Sequence, residues 1–389
     1  MALLDGRRVD DAAGMRFRQV THPAPRSPEA RAEALVAPVF GRVFTDHMVT
    51  IRWSRTHGWH DATLGPYAPI PMAPAAAVLQ YGSSIFEGLK VYRRADRALV
   101  AFRPDANAAR FRRSAVRMAM PELPEDLFLQ AVDELLALDH DWVPAAGGEE
   151  SLYLRPFLIG ITPTLSAVAP EDHLFVLIAS PAGAYFPGGL APVRAWMGGS
   201  HVRAWPGGTG GTKAGANYAA SLAAQQEARA HDCDQVVWLD AVEHRYVEEM
   251  GMMNVFFVLH DPHTRGGSEV ATPRLNGSFL PGITRDSILT LAADHGARVT
   301  ERAVTAEELL DRARDGSLRE VFASGTAAVI TPVGAVVDRE GTTPIADGHP
   351  GPVTTALRDT LTGIQRGDLP DPHGWVRPAS RGGGGRRRR

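Results

Sequence analysis

Cysteine is almost missing from the 389-residue chain: Cys233 is the single one, which excludes an internal disulfide and any cysteine-cluster zinc or iron–sulfur site. Long apolar runs are missing too, since none approaches the ~20 residues that a membrane-crossing helix needs. No excess of either charge stands out, and a formal net charge of −3 offers no general attraction to nucleic acid. The first residues lack the charged-then-apolar pattern of an export signal, so the expected compartment is the cytoplasm. The 14 histidines never pair at His-Glu-x-x-His spacing, so a zinc-hydrolase reading has no support and no metal is expected. Against these absences, 44% hydrophobic and 22% charged residues are ordinary for a soluble globular protein. The length exceeds what one core usually serves, so two domains with a cleft between them are expected.

Local patterns divide the chain. Residues 1–45, rich in Pro, Ala and Arg, read as an arm that docks only in part. A small α+β domain follows at 46–187. It has strands at 49–53, 99–102, 152–161 and 174–179, and a helix over 105–120. A second helix opens at Pro124-Glu125-Asp126 and buries Ala131, Leu135 and Leu138. Proline and glycine punctuation from Phe186 to Gly189, and the glycines from Gly198 to Gly215, predict an interdomain linker over 188–200. A large α/β domain then spans 201–367, with a helix over 216–230 and strands at 235–239, 245–248 and 254–259. Thr305-Ala306-Glu307-Glu308 has the spacing of a capping box, and Gly316 is a natural helix stop. The last segment, 368–389, ends from Arg377 on in a Gly/Arg tail that cannot bury enough apolar surface to order itself and reads as a solvated extension rather than a nucleic-acid arm.

The densest chemistry lies in Gly207-Gly208-Thr209-Gly210-Gly211-Thr212-Lys213-Ala214-Gly215-Ala216-Asn217-Tyr218. A phosphate-binding P-loop needs its lysine directly after glycine and before Ser or Thr. Lys213 instead follows Thr212 and precedes Ala214, so that reading fails on register. A lysine that forms a Schiff base needs a partly desolvated site where its amine can be neutral, and glycines let the backbone crowd round it. Taken alone, the segment also fits a mobile surface loop.

Residues 210–218 resemble the cofactor-lysine segment of the branched-chain amino acid aminotransferases, pyridoxal-phosphate enzymes of fold type IV. Further similar segments occur in that family's order. They are Phe44-Thr45-Asp46-His47-Met48, Tyr81 to Lys90, Ser151 to Pro156, Gly183 to Gly189, Glu249 to Asn254, Leu280 to Arg285 and Ser324 to Ala327. The resemblance runs from about Phe40 to Gly367. It implies a two-domain α/β fold with the active site between the domains, and a homodimer. The cofactor implied is pyridoxal 5'-phosphate, with 201–367 as the domain that binds it. The implied reaction moves the amino group of leucine, isoleucine or valine to 2-oxoglutarate, giving glutamate, and runs in reverse.

Roles follow from the same resemblance. Lys213 would carry the cofactor as a Schiff base and shuttle the Cα proton. Glu249 would keep the pyridine nitrogen protonated. Its neighbour Glu248 points to the opposite face of a strand and reads as a surface glutamate. Tyr218 would hold the cofactor's phenolic oxygen. Arg110, the amides of Ile283 and Thr284 at a helix start, and Thr326 would hold the phosphate. Tyr153 and the backbone at Thr326 and Ala327 would meet the substrate's α-carboxylate, and Arg155 the distal carboxylate of glutamate. Phe40, Tyr81, Phe86 and Tyr185 would line the side-chain pocket. Met252 departs from the threonine or glycine of some relatives. Ala328 and Thr331 stand where vertebrate members carry a redox-active cysteine pair, which excludes that switch. Alternatives within the fold are a D-amino acid transaminase or an aminodeoxychorismate lyase; Tyr153-Leu154-Arg155 and residues 183–189 favour the branched-chain reading. A catalytically idle relative is the alternative from another class, and the intact Lys213, Glu249 and Tyr218 set speaks against it.

Overall fold

A computed structural model describes residues 14–183 and 190–379. Two nine-stranded sheets organise them. In the first, strands run in the order Arg18–Gln19, Gly58–Pro66, His47–Ser54, Asp172–Ala182, Ser151–Gly160, Leu89–Arg93, Leu99–Phe102 and Val376–Pro378, with Ser84–Phe86 also paired to Ser151–Gly160. Neighbours are antiparallel except at the Arg18–Gln19 edge. Helices Pro104–Arg117 and Glu125–Asp139 cover one face, where Phe111, Phe128 and Phe175 form a buried aromatic trio.

The long apolar strands are explained by burial on both faces. Along Asp172–Ala182, Phe175, Leu177 and Ala179 join the main core of this half, while Leu174 and Val176 join a second cluster behind it. The same alternation occurs in the second sheet. Val255, Phe257 and Leu259 face one core, and Phe256 and Val258 the other.

The second sheet is mixed, in the order Val247–Met250, Gln235–Leu239, Val193–Trp196, Val329–Val337, Leu318–Gly325, Asn254–His260, Ser268–Pro273 and Arg298–Arg302, with Thr342–Pro344 also paired to Val329–Val337. Helices Ile283–Asp294 and Pro352–Arg366 pack on one face and Ala306–Arg314 on the other. The cluster under the first two helices also includes Phe102 and Trp375, which belong to the first sheet's edge, so apolar packing joins the halves.

Several expectations need correction. The stretch 188–200 is not simply a linker: Val193–Trp196 is an inner strand of the second sheet, parallel to both neighbours. The prolines and glycines around it mask a strand whose Val193 and Ala195 join one core and whose Trp196 joins another. The helix expected over 216–230 is two, Gly215–Ala219 and Leu222–Ala230, broken at Ser221. The strand expected at 245–248 lies at Val247–Met250. Leu138 is not in the buried stripe of Glu125–Asp139, whereas Ala131 and Leu135 are. By contrast, Thr305 caps its helix as its spacing predicts, accepting the Glu308 N–H at 2.9 Å. Replacing that acceptor with Thr305→Ala should destabilise the fold by about 1 kcal/mol, with Thr305→Ser nearly neutral. Thermal unfolding of the two variants checks this.

Candidate active site

Lys213 sits where the two halves meet, held by its backbone. The Phe86 N–H donates to the Lys213 carbonyl at 3.0 Å, the Lys213 N–H donates to Ser114 Oγ at 3.2 Å, and Ala214 bridges to Ile85. All three partners belong to the first sheet or its helix. The glycines make the approach possible. A Cβ at Gly210 would collide with the Ser278 carbonyl, and one at Gly215 with Ser84 Oγ. Asn217 cross-links the loop by donating to the Thr209 carbonyl at 2.7 Å and the Thr212 carbonyl at 2.9 Å.

The side chain is directed by aromatics. Lys213 Nζ donates to the Tyr218 hydroxyl at 2.8 Å and lies 4.7 Å from the Phe86 ring centre and 5.1 Å from that of Tyr218. The Arg155 guanidinium lies 4.8 Å from the centre of the same Phe86 ring and donates to the Tyr153 hydroxyl at 3.3 Å. Phe40 meets Tyr153 edge-on at 4.8 Å. Tyr153 and Arg155 share one face of their strand because they are two residues apart. Gly88 admits the Tyr153 hydroxyl, into which any Cβ there would run. Arg155 Nε is buried with no hydrogen-bond partner among the described residues, an orphaned cationic donor beside this group.

Two carboxylates are fully buried here and are tuned in opposite directions. Glu249, on Val247–Met250, pairs with the Arg203 guanidinium and accepts from Asn254 Nδ2 at 3.2 Å. Burial raises its proton affinity above the usual carboxylate range, more than Arg203 and the Leu280 backbone lower it. For Glu87, burial also raises it, but the paired Arg110 together with Lys213 and Asn107 outweighs this and holds it below that range. Arg110 grips Glu87 with two bonds, Nε to Oε1 at 2.6 Å and a terminal nitrogen to Oε2 at 2.9 Å. A third bond runs to the Pro281 carbonyl at 3.3 Å. A guanidinium has five N–H groups, so two remain for a ligand.

Helix Ile283–Asp294 begins with Gly282, which offers no side-chain cap, so the first amides of the helix are free for an anion. A Cβ on Gly282 would collide with Asn254 Oδ1. Thr326 and Ala327 form the turn between Leu318–Gly325 and Val329–Val337, and Ala327 is tied to the first half by Lys90 Nζ, which donates to its carbonyl at 2.8 Å.

Not every expected residue joins this group. The Tyr81 ring is half exposed, and its hydroxyl is spent on the Leu165 carbonyl. Tyr185 and most of the segment 183–189 lie outside the described residues, as do the outer arm and the tail from residue 380 on. The tail does not begin at Arg377 as expected: Arg377 and Pro378 belong to the strand Val376–Pro378 on the edge of the first sheet, where pairing with Leu99–Phe102 holds them and Arg377 donates to the Asp133 carboxylate. Glu248 is not a surface residue. It is buried on the opposite face from Glu249 and accepts from Asn276 Nδ2 at 2.7 Å. Met252 lies half exposed in the turn between Met250 and Met253, and Ala328 and Thr331 are buried. Sequence reasoning missed Glu87, Arg203, Asn254 and Lys90. Glu87, Asn254 and Lys90 lie inside segments already singled out, but only the fold reveals which charge each one meets. Arg203 carried no signal beyond its glycine-rich surroundings.

Comparison with known proteins identifies the family. The model of the family described as amino-transferase class IV matches residues 84–336. A branched-chain-amino-acid aminotransferase of Mycolicibacterium smegmatis is 54% identical over 362 residues, 93% of this chain and 98% of that protein. One from Mycobacterium tuberculosis is 53% identical, covering 94% and 98%. Among solved structures, the branched-chain amino acid aminotransferase of Escherichia coli matches with a TM-score of 0.64 at 28% identity, over 85% of this chain and 99% of that one. That of Thermoproteus uzoniensis, solved with norvaline, gives 0.68 at 26% identity, covering 85% and 100%. The chain therefore belongs to the class IV amino-transferases and, within them, to the branched-chain-amino-acid aminotransferases.

The Glu87–Arg110 pair yields a test independent of activity. Glu87→Gln leaves a buried guanidinium uncompensated and should cost about 3 kcal/mol. The double variant Glu87→Gln with Arg110→Met should lose less than the sum of the single losses. Thermal unfolding of the four proteins measures the coupling.

Proposed function

We propose that the protein transfers the amino group of L-leucine, L-isoleucine and L-valine to 2-oxoglutarate, and the reverse, with pyridoxal 5'-phosphate held by Lys213. The observation that carries this reading is the Lys213–Tyr218 pair at the domain junction, with the desolvated Glu249 in the same site. When bound, pyridoxal 5'-phosphate supplies an aldehyde that can hold an amino group and a ring that accepts the electrons left when a Cα proton departs.

The residues present fit that cofactor. Glu249 is a buried carboxylate whose raised proton affinity suits a shared proton with a ring nitrogen, and Arg203 and Asn254 keep it oriented. Tyr218 would hold the phenolic oxygen while its hydroxyl keeps the Lys213 amine in line. The uncapped amides at Ile283 and Thr284, the Thr326 hydroxyl and the two spare donors of Arg110 would hold the phosphate. Because Glu87 already neutralises Arg110, that arginine contributes directed donors rather than net charge.

Lys213 would then take the Cα proton from the substrate and return it to the carbon that the cofactor's aldehyde supplies. Tyr153 and the turn at Thr326 and Ala327 would grip the α-carboxylate. Arg155, with its orphaned Nε, would receive the second carboxylate that only glutamate and 2-oxoglutarate carry. Phe40, Phe86 and Tyr153 supply the apolar wall that admits a branched side chain in the other half-reaction. Tyr185 belongs to the same proposed pocket by resemblance. The half-exposed Phe40, Tyr81 and Met252 are apolar surface that a second copy would cover, so we place the enzyme as a homodimer, with the cytoplasm as its compartment. No helix among the described residues is long and apolar enough to cross a membrane.

The reaction should follow ping-pong kinetics, with the 2-oxo acid released before 2-oxoglutarate binds, and Lys213→Ala should abolish it. Good turnover of D-alanine with none of L-leucine would overturn the assignment. Arg155→Met should impair glutamate and 2-oxoglutarate by about 2 kcal/mol in kcat/KM, several times more than leucine, since a charge-assisted contact is lost only for the diacids. Equal losses for both substrates would contradict the role given to Arg155.

A further inference from the structure

The chain's 41 basic residues include just two lysines, Lys90 and Lys213. Lys90 is deeply buried and makes a contact between the two halves. It lies on Leu89–Arg93, beside Tyr153 in the sheet register, and its ammonium reaches across to the Ala327 carbonyl at 2.8 Å. Behind it lie Glu149, from the loop before Ser151–Gly160, and Arg358, from Pro352–Arg366, which pair with each other. Lys90, Tyr92, Glu149, Ala327 and Arg366 line a small cavity beside this cluster.

We propose that Lys90 is the positioning residue of the substrate-carboxylate turn: by holding the Ala327 carbonyl it aligns the Thr326–Ala327 backbone, and its charge attracts the carboxylate that this backbone binds. The inference rests on the function proposed above, and it adds a residue and a pH dependence to the same site. A hydrogen bond from an ammonium polarises the peptide it meets, and a positive charge in a poorly solvated site acts on a nearby carboxylate with little screening. Lys90 is the residue that supplies both, since the Arg358 charge is paired with Glu149 and that of Arg155 is reserved for a distal group.

Charge at Lys90 is also conditional. Burial lowers its proton affinity, Glu149 raises it and Arg358 lowers it again, leaving a value of about 8. Among the described residues, Tyr92, on its own strand, Tyr153, on the neighbouring one, and Arg366, from Pro352–Arg366, complete the titratable or charged groups around it. The ammonium is therefore present below that value and lost above it, so carboxylate affinity is full at neutral pH and declines in mild alkali. An arginine cannot behave this way, because a guanidinium keeps its proton throughout.

The test uses the holoenzyme and 4-methylvaleric acid, which carries the carboxylate and branched chain but no titrating amine. Binding is measured by calorimetry at pH 7 and pH 9, one unit either side of the Lys90 value of about 8. Wild type should lose affinity by about tenfold across that interval, and Lys90→Gln should show a similar loss already at pH 7. In Lys90→Gln the KM for leucine should rise by a larger factor than kcat falls. Lys90→Arg, which retains a charged donor, should hold its pH 7 affinity at pH 9. Lys90→Gln that binds the acid as wild type does, or Lys90→Arg that weakens between pH 7 and pH 9 as wild type does, would overturn the proposal; the second comparison decides even if Lys90→Gln does not fold. Binding that follows the expected pattern in a protein unable to transaminate leucine would support the role of Lys90 and contradict the function instead.

Discussion

The position of one backbone segment governs the rest. The carbonyl and N–H of Lys213 are both satisfied by groups from the other half of the molecule, Phe86 and Ser114, so the Lys213 amine is fixed only when the two sheets are docked. A lysine side chain has large rotamer freedom, and anchoring its backbone on both sides removes much of the search. The Tyr218 hydroxyl and the Phe86 ring do the remainder. Gly210 and Gly215 matter because the loop must pass against Ser278 and Ser84 closely enough to leave no room for a side chain.

Electrostatics around that segment is divided among groups with separate tasks. Glu87 and Arg110 neutralise each other and so bring two elements together without leaving net charge in the site. Burial raises the proton affinity of Glu249, and Arg203 and Asn254 hold its carboxylate in place. Lys90 and Arg155 remain as cations with unspent influence, one beside the turn at Ala327 and one beside Phe86 and Tyr153. That separation suits an enzyme that must accept an apolar side chain and a carboxylate in the same pocket at different times. The aromatic rings of Phe86 and Tyr153 and the Arg155 guanidinium are adjacent, so the proposed pocket could offer either to a substrate.

Much of the architecture was legible because it follows from local rules. The two-sided burial of Asn254–His260 appears as an uninterrupted apolar run, the cap at Thr305 as a spacing, and the candidate site as glycines round a lone lysine. The failures have a common physical cause. Val193–Trp196 is a strand because its neighbours in the sheet supply partners, and those neighbours are distant in sequence. Glu248 is buried because Asn276 comes to meet it, which strand alternation alone cannot show. Glu87 and Lys90 lay in a recognised segment, yet their roles depend on Arg110 and Ala327, contributed by other elements. Residues that act through a partner can be read only after the fold has chosen the partner.

The central claim is that the amine at position 213 is the one that binds the cofactor aldehyde. With two lysines in the chain, covalent trapping has two side-chain addresses. Borohydride reduction of the protein loaded with pyridoxal 5'-phosphate, followed by peptide mapping, should place the pyridoxyl group on Lys213 and should leave Lys90 unmodified. Label on Lys90, or no label on either lysine, would contradict the account.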